Sequence, residues 1–167
     1  KVPDQPVIGW IGSPSTWSEY MQPMLPMLEE IAENTGAQMH FIGAPGAVQA
    51  SANAHFIPWR EDQECAEISR MSLGIMPLSD TPWAKGKCGY KLIQYMACGV
   101  PVVASPVGVN THIVETGNSG FLASSPDEWR AAISKLITHP ELCQTYGQSG
   151  RKLVESEYCL QVQGPRV

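Results

Sequence analysis

A three-layer α/β domain, with a mostly parallel six-stranded sheet and helices on both faces, is what this 167-residue chain predicts. Three observations lead there. Six short apolar runs alternate with stretches of helical period. The run Val100–Ala104 is unbroken and rich in β-branched residues, as a strand buried on both faces is. The first run also passes through a glycine turn into a helix, a common opening of nucleotide-binding α/β domains. Composition agrees: 43% hydrophobic and 16% charged residues are the values of a globular chain that can bury a core.

Lys1–Pro6 is polar and proline-containing and reads as a linker from a preceding domain. Val7–Ile11 is the first strand. Gly12 opens the loop through Thr16, either letting a ligand approach the backbone or serving as an ordinary turn residue. Neither G-x-G-x-x-G nor G-K-[ST] is present. A helix spans Tyr20 to Glu33, with Met21, Met24, Leu25, Leu28 and Ile31 on its apolar face. Pro23 and Pro26 fit only its first turn, so its regular part starts near Pro23. Gln38–Ile42 is the second strand. Residues 44–53 form a small polar loop with a short helical turn, and His55–Ile57 is the third strand. His40 and His55 are assigned structural roles.

Glu61–Met71 has a helical pattern with a solvated acidic start that suits the macrodipole. Leu73–Met76 is the fourth strand. The loop Pro77–Trp83 leaves its C-terminal end, where open α/β sheets bind ligands, so Asp80 and Trp83 belong to the rim of a site. A helix follows from about Cys88 to Cys98, with Leu92, Ile93, Met96 and Ala97 on one face and Gly99 as a positive-φ terminator. Pro101 belongs at the start of the strand Val100–Ala104. A short helix through His112–Val114 and a strand Gly120–Ala123 come next. Ser125, Pro126 and Glu128 form an N-cap, an N1 proline and a capping box. The helix they start faces the core with Trp129, Ala132, Ile133, Leu136 and Ile137. Pro140 opens a helix to about Gly147, and another runs from Ser149 to about Tyr158. Residues 159–167 are a tail.

The chemistry concentrates between Pro82 and Gly108. Gly86 and Gly89 bracket a loop suited to close backbone approach. The helix start behind it is an anion site. Lys87, Lys91 and Gln94 are spaced by four and three and share one helix face. Two ammonium groups suit a diphosphate, and Gln94 suits a sugar hydroxyl. The same residues also read as solvated charges and a neutral helix former. The five cysteines contain no C-x-x-C pair, which points to neither a zinc site nor a disulfide framework but to a reduced, cytoplasmic chain. Cys88, beside the lysines, is either a thiol of lowered pKa or a small buried residue. A net charge of −5 argues against a nucleic-acid polymer as partner. No apolar run is long enough to span a membrane, and no signal peptide is visible.

Gln94 to Gly108, Q-Y-M-A-C-G-V-P-V-V-A-S-P-V-G, resembles E-A-M-A-x-G-x-P-V-V-A-S-x-x-G of the donor-binding half of GT-B glycosyltransferases, the family-4-type (group 1) retaining enzymes. V-N-T-H-I-V-E-T-G-N-S-G-F-L-A continues it, similar to G-x-x-E-I-V-x-x-x-x-x-G-x-L. The resemblance implies a Rossmann-like half of a GT-B fold with strand order 3-2-1-4-5-6. It implies transfer of a sugar from a nucleoside-diphosphate sugar to an acceptor hydroxyl, with retention and without a metal or other cofactor. The partners it implies are a nucleotide sugar and a missing N-terminal acceptor-binding domain. The full-length enzyme would be cytoplasmic or peripheral at the inner face of the membrane, in cell-surface polysaccharide synthesis. One half alone would be inactive, because transfer needs both reactants in one cleft.

The resemblance also sets the nucleotide base against the end of the third strand. There Trp59 flanks the base or packs against the next helix, and Arg60 faces the donor. The sequence departs from the pattern in three places, one of them His112, where the family often has Glu. The family's Glu-x7-Glu falls on Gly86 and Gln94, of which the second position binds the donor ribose. Asp80, Lys85 or Lys87 would have to compensate for the first. The family's Arg and Lys after the first strand are absent, which moves the diphosphate to Lys87 and Lys91. The expected donor-binding set is therefore Gly12, Trp59, Arg60, Asp80, Gly86, Lys87, Gly89, Lys91 and Gln94. A non-catalytic nucleotide-binding module with a degenerate donor site is the alternative. A dinucleotide oxidoreductase is disfavoured by the missing glycine fingerprint and by the lack of an acidic residue closing the second strand.

Overall fold

The computed structural model describes residues 5–46 and 51–166. Its six strands are β1 Val7–Ile11, β2 Gln38–Ile42, β3 Ala54–Ile57, β4 Leu73–Met76, β5 Val102–Ala104 and β6 Gly120–Leu122. They form one sheet in the order β3-β2-β1-β4-β5-β6, with every neighbouring pair parallel. The order expected from the resemblance is the order found. Side chains alternate across the sheet with period two, and this divides the core. Ile8, Trp10, Met39, Phe41 and Ile75 point to one face, and Val7, Ile11, Ile42, Met76 and Val102 to the other.

The first face is covered by α2 (Leu25–Thr35) and α7 (Pro126–Thr138), the second by α3 (Glu64–Ile68), α5 (Tyr90–Ala97) and α6 (Asn110–Gly117). Two short helices, α1 (Pro14–Thr16) and α4 (Pro82–Lys85), follow β1 and β4. The helix α8 (Pro140–Leu153) packs along α5 and α6, and α9 (Leu160–Gln163) follows it. Ser125 and Glu128 make the expected capping box, and all five expected core residues of α7 are buried.

Several boundaries differ from expectation, each for a local reason. The first helical stretch begins at Pro14, not Tyr20. It passes through a π turn at Trp17–Met21 and a 3₁₀ turn at Gln22–Met24 before its regular part starts at Leu25. Ser13 caps it early, and Pro23 and Pro26 break the ladder between. The helix expected over Glu61–Met71 shrinks to α3. Gln63 closes a turn on Arg60, and Arg70 and Met71 bond three residues back instead of four. The two helices expected on either side of Gly147 are one continuous α8, extended by a π turn at Val154–Tyr158. Gly147 does not end a helix. A β-carbon there would lie 2.0 Å from the carbonyl oxygen of Gly99, so this glycine lets two backbones meet. The 159–167 tail carries α9 and a 3₁₀ turn at Gly164–Arg166. Most of the expected linker, and the helical turn expected within residues 44–53 where it falls on 47–50, lie outside the described residues.

Candidate functional site

In a sheet of this order the crevice that takes ligands opens between β1 and β4, where successive connections run to opposite sides. The β1–β4 ladder is short, pairing Ile8 with Leu73 and Gly9 with Gly74. Beyond it a side chain takes over. The hydroxyl of Tyr95, on α5, accepts from the Ile11 amide at 3.1 Å and donates to the Ile75 carbonyl at 3.2 Å. Tyr95 is fully buried, and that burial pushes its hydroxyl pKa well up, so it stays a neutral donor.

Around this crevice the structure collects two groups of expected residues. The first is the lysine pair. Lys91 Nζ lies 4.8 Å from the ring centre of Trp10, and Lys87 Nζ lies 5.5 Å from that of Tyr20. Burial, and secondarily the charge of Lys87, push the Lys91 pKa down to about 8. Among the described residues neither ammonium forms an ion pair. Lys87 is not on the helix face that its spacing implied. Gly89 takes the left-handed conformation at φ 70° and is the N-cap, so α5 begins only at Tyr90. The loop turns back after α4, with the Lys87 amide bonding to the Ala84 carbonyl at 3.1 Å, and this keeps Lys87 near enough for its charge to act on Lys91.

The second group is centred on a residue that sequence reasoning left in a solvated helix start. Glu64 accepts from the Trp59 indole N–H through Oε2 and from the Gln94 side-chain amide through Oε1, both at 2.6 Å. Thus α3 holds a carboxylate beside Gln94, where α5 itself has none. Trp59 is tethered to the helix that follows it, as one of its two expected roles required, yet it remains 52% exposed. Glu64 and Gln94 are 30 residues apart, and no spacing rule relates residues on different elements.

The remaining expected residues fall outside these groups. Arg60 is turned to Asp62 at 2.9 Å, and Asp80 pairs with Lys85 at 2.9 Å; all four are exposed. Trp83, on α4, is 76% exposed. Gly12 is half-buried and has no room for a side chain: a β-carbon there would meet the Trp10 ring at 2.4 Å. Gly86 has an ordinary helical φ of −78° and room for a β-carbon, so its backbone does not require glycine. Cys88 is exposed, which removes the buried alternative for it.

A separate cavity of about 550 Å³ opens at the opposite edge of the sheet, where Pro6, Ser72 and Pro101 precede their strands. Among the described residues no cluster of three or more His, Cys, Asp or Glu side chains is placed to hold a metal. No described helix is long and apolar enough to cross a membrane.

Residues 5–139 match the family model described as glycosyl transferases group 1. The chain is 36% identical over 87 residues to D-inositol 3-phosphate glycosyltransferase of Stackebrandtia nassauensis, a match covering 50% of this chain and 18% of that protein. It is 30% identical over 95 residues to N-acetyl-alpha-D-glucosaminyl L-malate synthase of Bacillus anthracis, covering 56% and 24%. Its fold superimposes on Anabaena HepE, solved in complex with UDP and glucose. The TM-score is 0.78 at 19% identity, over 99% of this chain and 47% of that one. The chain therefore spans less than half the length of each of these proteins.

Proposed function

This chain belongs to the group 1 glycosyl transferases, and on that premise we propose that it is the donor half of such an enzyme. It holds a nucleoside-diphosphate sugar, from which the complete enzyme moves the sugar to an acceptor hydroxyl with retention. The observation that carries this reading is the pair of ammonium groups at the β1–β4 crevice, close enough for one to depress the other and, among the described residues, without a carboxylate partner. A diphosphate relieves that repulsion and offers several acceptors to both lysines. As the bond to the sugar breaks, charge grows on the diphosphate, and the same lysines stabilise it there.

The carboxylate of Glu64 and the side chain of Gln94 suit adjacent hydroxyls, as of a ribose, since a carboxylate accepts from O–H groups and an amide both donates and accepts. The exposed face of Trp59, fixed through its N–H, suits a stacked base. Anabaena HepE, a protein of the same fold, was solved with UDP and glucose. The acceptor site belongs, in this reading, to an N-terminal domain outside the chain. The five free thiols support a reducing, cytoplasmic setting.

Calorimetric titration with UDP, GDP and NAD tests the reading. A nucleoside diphosphate should bind, and Lys87→Ala combined with Lys91→Met should weaken it at least about tenfold, the loss expected for charge-assisted hydrogen bonds. Preference for NAD, or no diphosphate bound by the folded domain together with its partner domain, would overturn it. A non-catalytic nucleotide-binding module is a second reading, favoured by Gly86, which offers no side chain where the family has a carboxylate. Sugar transfer or donor hydrolysis by the full-length protein would exclude it.

A further inference from the structure

The seam between α3 and α5 contains a second feature that the donor site does not use. Cys65, on α3, and Cys98, at the C-terminus of α5, place their sulfurs 3.6 Å apart, the one thiol–thiol hydrogen bond among the described residues. Cys65 is exposed. Cys98 is half-buried and lines the 550 Å³ cavity, so a small molecule reaches the pair from outside. The pair sits directly behind the site. Glu64 is the residue before Cys65, and Gln94 lies one turn before Cys98, so the Glu64–Gln94 hydrogen bond and the thiol contact are successive links across one seam. Otherwise α3 is lightly held: it has five residues and buries only Ile68.

We propose that Cys65 and Cys98 form a redox modification site, a disulfide-forming pair whose closure staples α3 to α5 and holds Glu64 against Gln94. The two sulfurs need to approach from contact distance to the roughly 2.05 Å of a disulfide. The oxidant is a small-molecule disulfide, R–S–S–R. The exposed Cys65 thiolate attacks one of its sulfurs and expels the first RS⁻. Cys98 then loses its proton and attacks the Cys65 sulfur, expelling the second RS⁻. Two protein thiols are oxidised, and the reagent leaves as two R–SH, taking up both protons. Burial, and then the contact with Cys65, push the Cys98 thiol up to about 11, which leaves the first attack to Cys65; the second is intramolecular and is favoured by the 3.6 Å separation. The other described thiols make no hydrogen bond to a sulfur. Cys143 and Cys159 instead donate to the carbonyls of Leu136 and Glu155.

This inference does not depend on which ligand the crevice takes. The test is to treat the folded protein with oxidised glutathione, alkylate the remaining thiols and map the peptides. Free thiols should fall by two, with Cys65 and Cys98 in one linked peptide. The melting temperature should rise and return on adding reductant. Amide hydrogen exchange in α3 should slow in the oxidised protein. Cys98→Ser should retain a glutathione on Cys65 and show neither change. Five alkylated thiols after oxidation, a glutathione retained on wild-type Cys65, or a cross-link between other cysteines would overturn the pairing. A Cys65–Cys98 bond with unchanged exchange in α3 would overturn the staple.

Discussion

The ring of Tyr95 fills the space that a side chain on Gly74 would need: a β-carbon built there comes within 2.5 Å of the Tyr95 ring. The glycine in β4 thus admits the tyrosine to the sheet, and the tyrosine hydroxyl continues the link between β1 and β4 where their ladder stops. The crevice therefore opens beside a fixed point, and Gln94, the residue before Tyr95, is positioned from it.

Replacing Tyr95 with Phe keeps the ring and removes that link. The buried Ile11 amide and Ile75 carbonyl lose their partner, at a cost of about 1–3 kcal/mol. Urea denaturation should show a lower midpoint with an unchanged slope. A loss below about 0.5 kcal/mol would mean the hydroxyl does not tie the strands.

Two glycine-to-alanine changes should behave oppositely. Gly147→Ala drives a β-carbon to 2.0 Å from the Gly99 carbonyl, which is backbone and cannot swing aside. It should destabilise by about 2 kcal/mol or more, as overpacking does. Gly86→Ala meets its nearest neighbour at 3.4 Å with a φ of −78°. It should leave stability unchanged or raise it by about 0.5 kcal/mol through the unfolded chain. Thermal melts of both variants decide this.

Lys91 should leave a signature in the dependence of stability on pH. Its pKa falls from 10.5 to about 8 on folding, burial being the main cause and Lys87 the second. Between those values the unfolded chain binds more protons than the native one, so stability rises with pH across about 8 to 10.5. At one pKa unit per 1.36 kcal/mol the whole effect stays below about 4 kcal/mol. Lys91→Met should flatten this rise relative to the parent protein, whose other groups titrate alike. Saturating UDP should shift it upward in pH.

Trp59→Leu tests the stacking role apart from the charges. The loss of an aromatic platform should weaken UDP about tenfold, within the 1–3 kcal/mol typical of base stacking. Inorganic pyrophosphate affinity should stay the same. Equal losses for both ligands would place Trp59 outside the base subsite.

The sheet was legible because each strand is a short apolar run between turn residues, and the start of α7 because Ser125, Pro126 and Glu128 signal it locally. Helix ends were less legible where one residue type serves two purposes. Gly147 looks like a terminator in sequence, yet it permits contact between α8 and the end of α5. Thr81 and Pro82 carry a cap and an N1 proline for α4, a signal present but read as loop. The lysine pair was found through a spacing that does not apply, since Gly89 starts the helix after Lys87. Glu64 was missed because its meaning comes from Trp59 and Gln94 on other elements. The same holds for Tyr95, whose partners are backbone groups of two strands.

The close contact of Gly147 with Gly99 also has a mechanical consequence. With no side chain between the two backbones, and with Gly150 also set closely against the Met96 side chain, α8 has little slack along which to slide past α5. The close backbone contact opposes sliding of one helix along the other. A force applied near the C-terminal end of the chain is therefore carried through α8 to α5, and with it to Lys91 and Gln94 at the crevice.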